Sequence, residues 1–122
     1  MKLFTLHCEG HGGVEAYFVG RDLYYRTIGR TYSEPINNEP TVLLGNFKLN
    51  KWSYLGLEHS NGKGIGKPSL KLVINGEMRE PIEIQFPNIE NNLPISKFSI
   101  AEKMIGRVSS LMLFKAPIGQ NK

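Results

Sequence analysis

The fold is most legible in residues 69–86. They run Ser69-Leu70-Lys71-Leu72-Val73-Ile74, Asn75-Gly76, Glu77-Met78-Arg79-Glu80 and Pro81-Ile82-Glu83-Ile84-Gln85-Phe86. The first six alternate with period two, which is the repeat of a half-buried strand. Asn-Gly is the strongest two-residue hairpin signal, because both residues tolerate the positive φ that a tight turn between twisted strands demands. The return segment 81–86 points Ile82, Ile84 and Phe86 one way and Glu83 and Gln85 the other. A β-hairpin is predicted here.

The same pattern extends in both directions. Upstream lies a polar, glycine-rich loop at 61–68, and before it Trp52 to Ser60, a clear strand candidate. Residues 41–49 are predicted to be another strand, and 33–40 a loop in which Pro35 and Pro40 lack a ladder donor. Val14–Val19 and Leu23–Ile28 read as a hairpin joined by Gly20-Arg21-Asp22, and residues 2–8 as a strand ahead of a Gly10-His11-Gly12-Gly13 turn. In that first strand Leu3, Thr5 and His7 face one way and Phe4, Leu6 and Cys8 the other. Downstream, 87–95 reads as loop and Lys97–Ala101 as a short strand. Ile100, Met104, Val108 and Leu111 recur at helical spacing, whereas Gly106 and the run Leu111-Met112-Leu113-Phe114 suit a strand buried on both faces. Periodicity leaves that segment open. About nine short strands with hairpin links predict an all-β domain, a two-sheet antiparallel sandwich spanning residues 1–122.

Composition narrows the function classes. The chain has 122 residues, enough for one domain with a core, and 40% of them are hydrophobic. No run approaches the ~20 apolar residues of a membrane helix, and the start Met1-Lys2-Leu3-Phe4-Thr5-Leu6-His7-Cys8-Glu9 turns polar too soon for a signal peptide. One cysteine, Cys8, excludes an internal disulfide, and no Asn-x-Ser/Thr acceptor occurs, so a reducing compartment, the cytoplasm, is expected. The net charge is +4. Its carriers, Arg21, Arg26, Arg30, Lys48, Lys51, Lys63, Lys67 and Lys71, are spread along the chain rather than gathered in a stripe. A solvated surface is expected, with no nucleic-acid partner.

Residues that could carry chemistry do not assemble into a catalytic or metal pattern. His7 and Cys8 are adjacent on a strand and point to opposite faces, and His11 lacks the second ligand cluster of a zinc site. Their plain reading is a half-buried histidine and a core cysteine. The loop Asn61-Gly62-Lys63-Gly64-Ile65-Gly66-Lys67-Pro68 resembles a phosphate cradle in composition, but a strand follows it where such loops need a helix. Glu58, Glu80 and Glu83 invite a glycosidase reading, yet the same-face neighbour of Glu83 is Gln85, and those of Glu58 are Gly56 and Ser60. Trp52, Tyr54, Tyr24 and Tyr25 suit either sugar stacking or strand-pair packing. Asn75-Gly76-Glu77 reads as a turn.

Taken in order, these segments resemble the concanavalin A-like sandwich of BEACH-domain proteins of the neurobeachin type. Lys2-Leu3-Phe4-Thr5-Leu6 is similar to an early strand of that family, and Leu23-Tyr24-Tyr25 to the strand after its first hairpin. Lys51-Trp52 with Leu55, Leu57 and His59-Ser60 resembles its Lys-Trp-Tyr-x-Leu-x-Ile-x-His-Ser signature. Leu70-Lys71-Leu72-Val73-Ile74-Asn75-Gly76 resembles its Asp/Asn-Gly hairpin, and residues 105–114 its closing strand, which the resemblance would make the last segment. Laminin G and pentraxin-like domains share a looser version. Ser109 stands where the family has glycine and Met112 where it has tyrosine, and nothing matches the family's earliest strand. The resemblance implies a concanavalin A-like jelly roll that is minimal or lacks its first strand, with an unpaired edge left over. It also implies a non-catalytic scaffold module of membrane trafficking, without cofactors. Protein partners are expected at an edge strand or loops, with peripheral membrane association compatible. A lectin-like carbohydrate-binding domain, using Trp52 or loop tyrosines, is the alternative.

Overall fold

Asn75 and Gly76 both have positive φ, 52° and 82°, and Ile74 pairs with Glu77 across them. That is the type I′ hairpin expected from the two residues. The Gly20-Arg21 link closes a second two-residue hairpin: Gly20 has φ 64° and Val19 pairs with Asp22. The structure is a computed structural model and describes residues 1–34, 39–48, 51–60, 66–88, 95 and 97–100.

These residues form nine strands: β1 (Lys2–Cys8), β2 (Gly12–Val19), β3 (Asp22–Ile28), β4 (Thr41–Asn46), β5 (Leu55–Ser60), β6 (Ser69–Ile74), β7 (Glu77–Met78), β8 (Ile82–Glu83) and β9 (Lys97–Ile100). All pairings are antiparallel. Sheet I has the order β4-β3-β2-β1-β9, and sheet II the order β5-β6-β7 with β8 also on β6. The described residues are all-β and their two sheets form a sandwich, as expected. β1 is flanked by both β2 and β9, so no open edge lies beside it. Residues 35–38 of the loop expected at 33–40, 61–65 of that at 61–68, 89–94 of that at 87–95, and the segment from 101 onward lie outside the described residues.

Of the boundaries that differ from expectation, β4 ends at Asn46 rather than 49, and three others have a visible reason. Gly12 and Gly13 belong to β2, not to the preceding turn. A Cβ on Gly13 would sit 2.1 Å from the Leu6 carbonyl oxygen, so only glycine lets β1 and β2 close together there. β5 starts at Leu55 rather than Trp52, although Tyr54 extends the register: its N–H donates to Asn75 Oδ1 (2.8 Å) and its C=O accepts from Asn75 N–H (2.9 Å). The single return strand expected at 81–86 is instead two short pieces. From Met78 to Ile82 the chain advances four residues while its partner runs only from Val73 to Leu70, so one residue bulges out. Pro81, with no N–H to give the ladder, sits in that bulge.

Alternation then sets the core. Ala16, Leu23, Tyr25 and Leu44 of sheet I pack on Leu70, Leu72 and Ile74 of sheet II, with Ile84 beside them. Burying a side chain of this size contributes roughly 1.5–3 kcal/mol. Phe47 caps one end, its ring meeting Phe18 edge-on with centroids 6.1 Å apart. Thr27 Oγ1, donating to the Gln85 carbonyl at 2.6 Å, ties the sheets at another point. Among the described residues no helix is long and apolar enough to cross a membrane.

Candidate functional site

The strongest concentration of charge was not expected, because Arg26 reads as surface in the sequence. On the outer face of sheet I, pairing aligns Thr5 (β1), Glu15 (β2), Arg26 (β3) and Thr41 (β4) in one row. Glu15 is 0% and Arg26 1% exposed. The expectation of a solvated Arg26 is therefore corrected: the connection leaving β3 folds back over this face. Glu15 Oε1 accepts from Arg26 Nε (2.9 Å) and Nη2 (2.8 Å), while Oε2 accepts from Thr5 Oγ1 (2.6 Å) and Tyr32 Oη (2.8 Å). Arg26 also donates to Glu39 Oε1 and to the Ser33 carbonyl, and Lys2 donates to Tyr32 Oη. Lys2, Lys97 and Arg26 surround the Tyr32 ring at 4.9, 5.0 and 5.7 Å from its centroid.

Burial by itself would push the Glu15 carboxyl up, but hydrogen bonds from Thr5, Tyr32 and Arg26, with the guanidinium charge, hold it below the usual carboxylate range. Lys2 shows the converse balance: burial lowers it, yet the Tyr32 bond and the Glu15 charge leave it raised. Burial raises the Tyr32 phenol. Both oxygens of Glu15 are occupied, and Arg26 bridges Glu15 and Glu39. The arrangement clamps the β3–β4 connection to the sheet and offers no lone pair for acid–base work.

A second polar node lies between the sheets. His59 Nε2 is 3.1 Å from the Ile84 carbonyl, which can only accept, so Nε2 carries the proton and Nδ1 accepts from Tyr25 Oη at 3.0 Å. The ring also meets Tyr25 and Phe86 edge-on, at 5.6 and 5.1 Å. Burial lowers the pKa of His59, against the bond to Ile84. Burial raises that of Tyr25. Both are braces of the core.

The other residues singled out in the sequence are placed as follows. His7 is buried rather than half-buried, its Nε2–H donating to the Gly29 carbonyl at 2.9 Å, and Cys8 is buried on the opposite face. His11 is exposed in the turn. Glu58 faces Lys71 (3.8 Å) and Glu83 faces Lys67 (3.9 Å), so these carboxylates flank β6 with a lysine each instead of meeting as a pair. Glu80 and Gln85 are exposed, and Lys63 lies outside the described residues. Tyr24 stacks on Tyr17, centroids 5.6 Å apart, and Tyr25 is core. Trp52 and Tyr54 are 64% and 66% exposed.

The outer face of sheet I also carries an apolar row. Leu43 of β4 is 51% exposed and pairs with Tyr24, so the outer face of sheet I carries a row Tyr17–Tyr24–Leu43 that ends at the edge strand. Sequence reasoning missed both this row and the clamp, since each depends on which loop covers which part of the face. No family model, curated protein or solved structure matches this chain.

Proposed function

We propose that this domain is a non-catalytic protein-interaction module, docking an apolar partner surface on the outer face of sheet I at its β4 edge. The observation that carries this reading is the row Tyr17–Tyr24–Leu43, in which two stacked tyrosines lead to a half-exposed leucine on a strand with one hydrogen-bonded neighbour among the described residues. Half-buried stacked aromatics beside an exposed leucine on a rigid sheet make a low-entropy anchor surface. Beside it, Arg26 holds the β3–β4 connection in place, so the surface is preorganised. The order of sequence motifs resembling the BEACH-type sandwich supports a scaffold role in membrane trafficking, in the cytoplasm or at a membrane face.

The test is site-specific photocrosslinking. A benzophenone amino acid replaces Leu43, with a control at exposed Glu77 on sheet II, in cells expressing the chain. A discrete protein adduct is expected from position 43, absent from position 77 and lost from a neighbouring probe when Leu43→Asp is introduced. Equal adducts from both positions, or none from 43, would end the proposal.

A further inference from the structure

The outer face of sheet II carries a different kind of surface. Gly56, Val73 and Met78 stand in one cross-strand row, and Tyr54 continues β5 opposite Asn75. A methyl group on Gly56 would lie 3.7 Å from Tyr54 Cε1, 3.8 Å from its hydroxyl oxygen and 3.7 Å from Val73 Cβ. The ring therefore lies along the sheet in the space that glycine leaves, and still is 66% exposed. Its backbone is fixed at both polar groups by Asn75. In the next row Glu58 and Lys71 face each other at 3.8 Å, an ion pair beyond hydrogen-bond length, with side chains 26% and 52% exposed.

We infer that this face binds a pyranose ring of a neutral glycan. The apolar C–H face of the sugar rests on Tyr54 beside Val73, and its hydroxyls exchange hydrogen bonds with the Glu58 carboxylate as acceptor and the Lys71 ammonium as donor. The dimensions favour a sugar over a protein. The apolar part is a strip of three side chains, the Tyr54 ring with Val73 and the 73% exposed Met78, whereas a stable protein interface covers about 800 Å² per partner. An apolar protein surface would also have to strip water from Glu58 and Lys71, a penalty that sugar hydroxyls offset. The site lies on the other sheet from the Leu43 edge, so either reading can fail without the other.

The test uses the full chain, labelled with ¹⁵N and titrated with hexamers of β-1,4-glucose, α-1,4-glucose, β-1,4-N-acetylglucosamine and α-linked mannose. At least one should shift the Tyr54, Gly56 and Val73 amides with millimolar affinity. Tyr54→Ala should weaken binding about tenfold while Tyr54→Phe stays within about threefold, the loss expected of one stacking contact. Lys71→Ala, at an exposed position that the fold does not need, should weaken it as well. Failure of all four glycans to move these amides, shifts confined to another surface, or a Tyr54→Ala protein that binds like the parent would overturn the inference.

Discussion

Replacing Arg26 by methionine isolates the strongest electrostatic interaction in the domain. The substitution keeps most of the volume but leaves the Glu15 carboxylate, 0% exposed, without its cation, and removes the donor to the Ser33 carbonyl. Breaking one side of a buried ion pair costs about 3–5 kcal/mol, and the half-buried Ser33 carbonyl can turn to water. Lys2, 3.7 Å from Glu15 Oε2, offsets a part of this, so a loss of about 4 kcal/mol is expected. With a urea m-value of about 2 kcal/mol/M, the midpoint should fall by about 2 M, read from the β-sheet circular dichroism. The double variant Glu15→Met with Arg26→Met removes both charges and should recover at least half of the loss.

The pH profile gives a second reading of the same pair. In the parent, Glu15 titrates below its unfolded value, so its contribution is present above the unfolded pKa and is lost as pH falls through the folded one. In Arg26→Met the cation is gone and burial dominates, so protonation relieves the strain and the deficit relative to the parent narrows on acidification. A deficit under about 1 kcal/mol, or one that widens in acid, would refute the account of a buried pair fixing the outer face.

Three further outcomes follow from other parts of the fold. His59 is held neutral with a lowered pKa, so the unfolded chain binds the extra proton: stability is full above about pH 6.5 and declines as pH falls below it. His59→Gln should flatten that decline in urea melts taken between about pH 7.5 and 5.5. Gly13→Ala drives a methyl group to 2.1 Å from a backbone oxygen and should cost about 3 kcal/mol or prevent soluble expression, whereas Gly10→Ala, at φ 82° with open space, should cost about 1 kcal/mol in the same thermal melt. Asn75→Ala loses the acceptor for the Tyr54 N–H along with the residue type suited to φ 52°; about 1–2 kcal/mol is expected, with faster amide exchange at Tyr54.

The class of fold was readable because its signals are local. Alternation in 69–74, Asn75-Gly76 and Gly20 each act over a few residues, and β6 and both hairpins lie where they point. Boundaries slipped where a distant partner decides: Gly13 reads as turn until Leu6 is seen packed against it, and 81–86 reads as one strand until the Pro81 bulge is set against β6. The clamp was illegible for a related reason. Glu15 and Arg26 look like ordinary outward charges of a hairpin, and only the return of Tyr32, Ser33 and Glu39 over the face buries them. Tyr54 and Trp52 suit either sugar stacking or strand-pair packing in the sequence, and only the structure shows that both are exposed.

The interruption at Pro81 has a meaning for the molecule in a crowded cell. A long, straight outermost ribbon invites copies of itself to zip on, one after another, into fibres. Here the ribbon beyond β6 comes in two pieces of two residues each, kinked apart, so an incoming strand finds no register it can hold for more than a step. Straightening it, by replacing Pro81 and deleting one residue of the bulge, would keep the core and add one more continuous edge to those of β4 and β5, raising the tendency to polymerise.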